Sequence, residues 1–373
     1  MGQAFRVLRI AGISVELHLS WLVIGFLVTY SLAEIQFPAQ FPGWGTGVYW
    51  LVAAATALLF FASVLAHELS HALVARRFGV RTTSITLFIF GGAAAMESEP
   101  KSPRDEALIA AAGPLSSLLI GGLLVLVDLA VGQEQVNALV GWLAVINLGL
   151  GVFNLIPGFP MDGGRILRAI LWRVRGDRYK ATRNAASVGQ LVGYGIIAFG
   201  VLLAFQRGGL ITGIWLALIG YFLSSAAESS IVQLGVERTL RGVRVRDVME
   251  ADPPSISPNE SVTDLVHERM LHGEHRTFLV RHDDGGLAGI VTLADVRRLP
   301  REDWDQARVT DIMTRFGDLA TVGPDDEVEA ALKLIQTRGV DQLPVVAEGR
   351  RIVGLLTRGG ISRLIETRLR LGV

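Results

Sequence analysis

Long apolar runs separated by short bursts of charge fill the chain up to about residue 230, and charges become dense from Val236 onward. A membrane-spanning helix needs about 20 mostly apolar residues. Six stretches approach or reach that length: 17–33, 47–66, 107–127, 136–158, 184–206 and 208–227. The pattern predicts a polytopic α-helical membrane domain of six transmembrane helices over 1–232, a linker over 233–242, and a soluble part beyond it.

Two connections between these spans carry patterns of their own. Residues 82–96 are rich in β-branched and aromatic side chains around a Gly91-Gly92 turn signal, which predicts a strand or hairpin at the membrane surface. Apolar residues recur at helical spacing among arginines over 166–174, which indicates a basic amphipathic helix in the membrane interface. The membrane domain is therefore predicted to carry a small surface β element besides its helices.

The basic residues of the connections predict an orientation, because short cytoplasmic loops carry an excess of Lys and Arg. Arg207 is the basic residue on one side of the predicted spans. The other side holds Arg6, Arg9, Arg76, Arg77, Arg81, Lys101, Arg104, Arg165, Arg168, Arg173, Arg175, Arg178, Lys180 and Arg183. That side is predicted to be cytoplasmic, together with the N-terminus and the soluble part, in a multi-pass protein of the cell membrane.

The composition agrees with a large membrane part. Of the 373 residues, 50% are hydrophobic and 19% are charged, whereas an ordinary soluble protein has about 25% charged residues. The formal net charge is zero, which gives no reason to expect a nucleic-acid partner. The chain has no cysteine, which excludes disulfides, thiolate metal sites and cysteine nucleophiles. Any metal must be held by histidines and carboxylates.

The second predicted span ends in a His-Glu-x-x-His sequence formed by His67, Glu68 and His71. Residues four apart in a helix lie on one face, so both imidazoles can bind one zinc ion. Glu68 can then act as the base toward an attacking water. Such groups are costly in hydrocarbon and therefore indicate function. The alternative interpretation is a polar cluster that reaches the cytoplasmic interface.

A catalytic zinc site has three protein ligands and one open position. Two candidates for the third ligand stand in the membrane half, His18 and Asp162. Asp162 follows the fourth span on the same side as His71, where two prolines break the helix and glycines permit close backbone approach. Asp162 is the stronger candidate. The alternative interpretations are that Asp162 is a helix-end or turn aspartate and that His18 is a membrane-interface histidine.

These motifs together resemble the site-2 protease family of intramembrane zinc metalloproteases, over about residues 15–230. Besides the His-Glu-x-x-His sequence, the resemblance rests on Asn-x-x-Pro-x-x-Pro-x-Asp-Gly-Gly over 154–164, with methionine where the family usually has leucine before the Asp. It implies one zinc ion per chain, held by His67, His71 and Asp162. It further implies Glu68 as the catalytic acid and base, and Asn154 as the residue that holds the substrate carbonyl or the oxyanion.

The soluble part contains an internal repeat over 243–366. The sequence VRDVM over 245–249 returns as VTDIM over 309–313, and GIVT over 289–292 returns as GLLT over 354–357. This period is too long for a solenoid unit and suits two small α/β domains. The repeat resembles a tandem pair of CBS domains, over 243–303 and 304–373.

In the CBS family, the Thr and Asp of a Gly-h-x-Thr-x-x-Asp motif contact the phosphate and ribose of adenine nucleotides. Thr292 and Asp295 match this motif in the first copy, whereas the second copy has Thr357 followed by Gly360 in place of Asp. The resemblance therefore implies at most one complete nucleotide cleft. The alternative is a docking module without a ligand, or one that joins two chains as a homodimer.

Together these features predict an intramembrane zinc metalloprotease that hydrolyses peptide bonds within or near transmembrane segments and is regulated by cytosolic CBS domains. The family resemblance implies a membrane-embedded substrate, a single-span regulatory protein. A strand near Ile85 to Phe90 is expected to hold the unwound substrate by edge pairing. The alternative is a CBS-regulated channel or transporter, which would need polar residues along a path across several spans.

Overall fold

The computed structural model describes residues 4–89, 91–206, 208–273, 275–282, 286–347 and 351–371. The chain forms two compact units, Met1–Val232 and Gln233–Val373, each with its own buried core. Two residues named above, Phe90 and Arg207, lie outside the described residues.

Six helices in the described part of the chain are long and apolar enough to cross a membrane, as the hydrophobic pattern predicts. The first spans α1 (Leu19–Ser31), a π-helical segment (Leu32–Gln36) and α2 (Phe37–Gln40). Then follow α3 (Thr46–Arg77), α4 (Pro103–Ala130), α5 (Glu134–Asn154), α6 (Asp162–Arg175), α7 (Arg178–Ala204) and α8 (Leu210–Leu240). All of these except α6 are candidate spans, so the polytopic helical fold is confirmed.

A four-stranded sheet accompanies the helices, in the order β1 (Ala4–Ile10), β2 (Ile13–His18), β3 (Thr82–Phe88) and β4 (Gly91–Met96). Strands β2 and β3 are parallel, and the two outer pairs are antiparallel. Strands β3 and β4 confirm the hairpin predicted over 82–96. The β1–β2 hairpin is missing from the sequence-based prediction, because β1 is exposed from Ala4 to Arg9 and lacks the pattern of a half-buried strand.

Strand β3 lies in the interior of this sheet, since it pairs with β2 on one side and with β4 on the other. Its backbone groups are therefore already engaged in both directions, and the expected edge pairing near Ile85 is wrong. Strand β4 pairs only with β3 among the described residues, so β4 is the strand of this hairpin with a free edge.

Helix α6 is the amphipathic helix predicted over 166–174. On its outer face Ile170 and Val174 are 53% and 76% exposed, beside the exposed Arg173. The helix ends at Gly176, whose φ of 69° is the left-handed conformation that glycine adopts readily. An exposed apolar stripe next to arginines is what a helix in the membrane interface presents.

The second unit is a small α/β module, as the tandem repeat predicts. Its elements are β5 (Ser255–Ile256), α9 (Val262–Asp264) with a π-helical continuation (Leu265–Met270), β6 (Thr277–Arg281), β7 (Leu287–Thr292), α10 (Leu293–Arg298), α11 (Val309–Ile312), β8 (Thr314–Arg315), α12 (Val328–Arg338), β9 (Gln342–Val346), β10 (Ile352–Thr357) and α13 (Arg358–Leu371). Strands β5 to β8 form one sheet, and β9 pairs with β10.

The two sequence repeats and the two cores of this unit do not coincide. Val245 packs in the core around α12, β9 and β10, and its N–H donates to the Asp326 carbonyl at 2.9 Å. Conversely, Val309 packs in the core around β6, β7 and α10, and its N–H donates to the Glu260 carbonyl at 3.0 Å. The first segment of each repeat therefore packs in the core of the other half of the unit. Leu240, at the end of α8 and inside the predicted linker, is buried in the first of these cores.

Candidate metal centre

Helix α3 carries His67 and His71 one turn apart on its inner face. The two residues are only 5% and 4% exposed, and their rings meet edge to face with centroids 4.9 Å apart. Polar atoms buried this deeply need partners, since their desolvation is otherwise uncompensated. The partners of these two rings come from α4 and α6.

Asp162 is the first residue of α6, where the helix dipole stabilises a negative charge. Its Oδ2 lies 3.2 Å from His67 Nε2 and 3.2 Å from His71 Nε2, and the two Nε2 atoms are 3.2 Å apart. Burial opposes the charged form of Asp162, but the hydrogen bonds with the two histidines outweigh it and lower the pKa of the carboxyl to about 2. Two imidazoles and a carboxylate therefore converge on one point.

The outer nitrogens of both rings are held by α4. His71 Nδ1–H donates to the Ile109 carbonyl at 2.7 Å, and His67 Nδ1 is 2.9 Å from the Ser117 hydroxyl. The Ile109 carbonyl can only accept, so His71 carries its proton on Nδ1 and keeps the lone pair on Nε2. The Ser117 hydroxyl can accept from His67 Nδ1 in the same way, an arrangement in which both Nε2 atoms are suited to bind a metal. Ile109 and Ser117 are absent from the sequence-based prediction, because only the fold brings α4 against α3.

Gly113 of α4 faces the same point. A Cβ at Gly113 would lie 2.6 Å from His67 Nε2 and closer still to His71 Nε2. The missing side chain therefore leaves room in front of the two Nε2 atoms. Gly113 stands in an Ala-Gly-Pro sequence over 112–114, which indicates close helix packing but does not identify the histidines as what it packs against.

This donor set fits zinc. Zinc binds histidine nitrogen and carboxylate oxygen in tetrahedral sites, where ligands with bonds of about 2.0–2.1 Å lie about 3.3 Å apart. In the described part of the chain, His67, His71 and Asp162 are the group found with the composition and spacing of a metal site. His18, the rival third ligand, is elsewhere: its Nδ1 accepts from the Ser20 N–H at 3.2 Å and caps α1.

Glu68 lies beside the histidines on α3 and is half-buried. Its side chain lies against β4, since a Cβ at Gly92 would be 3.1 Å from Glu68 Oε1 and nearer to Glu68 Cγ. Gly92 therefore lets the backbone of the free-edge strand approach this carboxylate with no side chain between them.

Asn154, the last residue of α5, is not joined to this cluster. Its Nδ2 donates to the Leu150 carbonyl of its own helix at 3.0 Å. Among the described residues, no hydrogen bond connects it to His67, Asp162 or Glu68.

The second unit contains a cavity of about 1270 Å³ lined by both of its halves. Thr292 and Asp295 lie in its wall, where the Thr292 hydroxyl donates to Asp295 Oδ2 at 2.7 Å and the two residues cap α10. Thr357 and Gly360 also line the cavity, and the Gly360 N–H donates to the Thr357 hydroxyl at 3.0 Å. The Asp295 N–H likewise donates to the Thr292 hydroxyl at 3.3 Å, so the two turns share a backbone arrangement, but the position of Asp295 is a glycine in the second turn.

A buried His-His-Asp donor set beside a glutamate, in a protein with six candidate membrane spans, defines the class of membrane zinc metalloproteases. Comparison with protein families agrees: Peptidase family M50 matches residues 55–133 and 120–200, and the CBS domain matches residues 245–302 and 309–367.

Curated relatives match along nearly the whole chain. Rip3 of Mycobacterium tuberculosis, whose name as a zinc metalloprotease is provisional, is 38% identical over 98% of this chain and 94% of its own length. The zinc metalloprotease MJ0392 of Methanocaldococcus jannaschii is 30% identical over 98% of this chain and 97% of its own. Among solved structures, a site-2 protease from the same archaeon is 33% identical and covers 61% of this chain and 95% of its own, with a TM-score of 0.43.

The chain belongs to peptidase family M50, the site-2 proteases, and is a multi-pass membrane zinc metalloprotease with two CBS domains. The fold class and the family expected from the sequence are confirmed.

Proposed function

We propose that this protease hydrolyses peptide bonds within or near the transmembrane segments of single-span regulatory proteins. The observation that carries the proposal is the convergence of His67, His71 and Asp162 on one point, with the neighbouring Glu68 lying against Gly92 of β4. A membrane substrate requires both a metal centre between apolar helices and a surface that accepts an unwound backbone.

In the proposed mechanism, His67, His71 and Asp162 hold one zinc ion, which when bound supplies Lewis acidity toward the scissile carbonyl and the attacking water. Glu68 takes a proton from that water and returns it to the leaving amine nitrogen. Asn154 donates its amide N–H to the oxyanion. The Asn154 amide is bonded to Leu150 in the structure, so this role requires it to exchange that bond for one with the substrate.

The substrate is proposed to pair with β4. A transmembrane helix hides its carbonyls in its own hydrogen bonds, so it must unwind before hydrolysis. The free edge of β4 offers N–H and C=O groups to an extended segment, and Gly92 places this strand in contact with Glu68. The remaining residues of β4 are mostly alanines, which leave space for the side chains of varied substrates.

We further propose that the N-terminus and the CBS unit face the cytosol and that the CBS unit regulates the protease. The orientation is supported by the basic residues of the connections. Regulation is supported by the cavity at Thr292 and Asp295, which is large enough for a nucleotide. A ligand there shifts activity only if it binds the active and inactive arrangements with different affinity.

The substrate class is tested with a panel of tagged single-span proteins incubated with the purified protease in lipid nanodiscs. We expect cleavage sites, mapped by mass spectrometry, to lie in or next to the span. Replacing helix-breaking residues of a cleaved span with leucine should slow its cleavage, because the helix then unwinds less readily. Cleavage confined to soluble regions far from the span would contradict the proposal.

The nucleotide site is tested by calorimetric titration of the purified protein with ATP, ADP and AMP. We expect no more than one tight site per chain, and weaker binding in Asp295→Ala because the carboxylate that faces the cavity is removed. Gly360→Asp should add a second site, since a Cβ there meets only the Thr357 hydroxyl at 3.2 Å and otherwise has ordinary contacts.

Asp264→Ala is the matched control, because Asp264 is an exposed carboxylate of the same half that does not line the cavity. Binding in this variant should equal that of the wild type. No heat with any of the three nucleotides, together with unchanged proteolysis, would leave the unit as a docking or dimerising module.

A further inference from the structure

A buried ion pair joins α4 to α6. Glu106, in the first turn of α4, is completely buried, and Arg168, in the middle of α6, is 7% exposed. Arg168 Nε donates to Glu106 Oε1 at 2.5 Å, and Nη2 of the same guanidinium contacts the same oxygen. Charged residues are almost never buried to this extent unless they are paired.

Arg168 has a second contact, with the segment that precedes α6. Its guanidinium lies 5.1 Å from the centroid of the Phe159 ring, within the range of a cation–π interaction. Phe159 is 8% exposed and packs against Ala185 and Ala186 of α7. One side chain therefore fixes α6 to α4 and also fixes the loop from which Asp162 emerges.

The face of α4 that holds Arg168 also holds the two histidines. Glu106, Ile109, Gly113 and Ser117 follow one another at intervals of three or four residues, which places them on one side of the helix. Ile109 and Ser117 hold the outer nitrogens of His71 and His67. Glu106 extends this row toward α6. This face of α4 therefore contacts both α3, which carries His67 and His71, and α6, which carries Asp162.

We propose that Glu106 and Arg168 are positioning residues that set α6 so that Asp162 meets the two histidines. The inference rests on the proposed assignment of His67, His71 and Asp162 as zinc ligands. Breaking a buried pair leaves an uncompensated charge, whereas apolar residues of similar volume often replace such a pair without loss of stability. The pair therefore fixes the position of α6 more than it stabilises the fold.

The test measures zinc affinity by chelator competition in the purified full-length protein. Glu106→Gln removes the negative charge with little change in shape, and we expect it to weaken zinc binding roughly 10- to 100-fold, as is typical for residues that support a ligand. In an Asp162→Ala background, Glu106→Gln should weaken zinc binding no further, because the ligand that the pair positions is already gone.

Arg173→Gln is the matched control, because it removes an arginine from the exposed face of the same helix. It should bind zinc as the wild type does. If Glu106→Gln does not fold, the double substitution Glu106→Leu with Arg168→Leu replaces the pair with apolar side chains, and the same loss and the same dependence on Asp162 are expected.

Two results would overturn the proposal: wild-type zinc affinity in the folded pair variants, or an equal loss in the Asp162→Ala background, which would show a general structural role. Unchanged zinc affinity in Asp162→Ala alone is a different outcome. It would refute the assignment of Asp162 as a zinc ligand. This failure is distinguishable from failure of the positioning proposal, because it is seen in the Asp162→Ala variant without any change at Glu106 or Arg168.

Discussion

Replacing Glu68 with glutamine is expected to abolish peptide hydrolysis while one zinc ion per chain stays bound. The amide cannot take a proton from the attacking water, and a positioned acid–base group contributes about 100- to 10,000-fold to a rate. The proposed ligands are untouched, and the glutamine keeps the size of the side chain that lies against Gly92. The measurement is the initial rate of cleavage of a single-span substrate, together with the zinc content of the same preparation.

Glu97→Gln provides the matched control, because Glu97 is an exposed carboxylate directly after β4. That variant should cleave at the wild-type rate. A near-normal rate in Glu68→Gln would show that another residue is the base. Loss of zinc from Glu68→Gln would show instead that Glu68 helps to maintain the metal centre. The loss of activity would then follow from the missing metal and not from the missing proton acceptor.

The first two members of the site could be predicted because their relationship is local. A spacing of four residues places His67 and His71 on one face of any helix, whatever the rest of the chain does. Asp162 stands 91 residues beyond His71, and no periodicity spans that distance. Two prolines and several glycines indicated a break in the helix on the same side of the membrane as His71, and the family motif then connected that break to the histidines.

The partners supplied by tertiary packing could not be predicted. The serine at 117 and the glycine at 113 are ordinary residues of an apolar helix until α4 is placed against α3. Strand order is equally non-local: the pattern over 82–96 identified a hairpin, but the pairing of β3 with β2 decided which of its strands keeps a free edge.

The repeats of the second unit also show that sequence patterns do not predict tertiary packing. Equivalent segments at Val245 and Val309 were correctly related to each other by sequence, yet each packs in the core of the opposite half. A sequence repeat predicts that two segments have the same local structure. It does not predict in which of the two hydrophobic cores each segment packs.

Replacing Gly113 with alanine is expected to remove zinc as completely as His71→Ala does. The added methyl would lie 2.6 Å from His67 Nε2 and nearer to His71 Nε2, in the space that the ligand nitrogens face. Alanine is more favourable than glycine inside a helix by about 1 kcal/mol, so loss of zinc could not be attributed to a weaker α4. The measurement is the zinc content of the purified protein by mass spectrometry, with its melting temperature recorded in parallel.

Gly122→Ala is the matched control, because Gly122 lies on the same helix and a Cβ there meets nothing within 4 Å. This variant should keep its zinc and its activity, and the difference between the two variants then isolates the space in front of the histidines. Full zinc content in Gly113→Ala would mean that α4 moves away from α3 by enough to admit a methyl group. In that case the Ile109 and Ser117 contacts could not hold the rings as the structure shows, and the proposed role of α4 as the support of both histidines would fail with them.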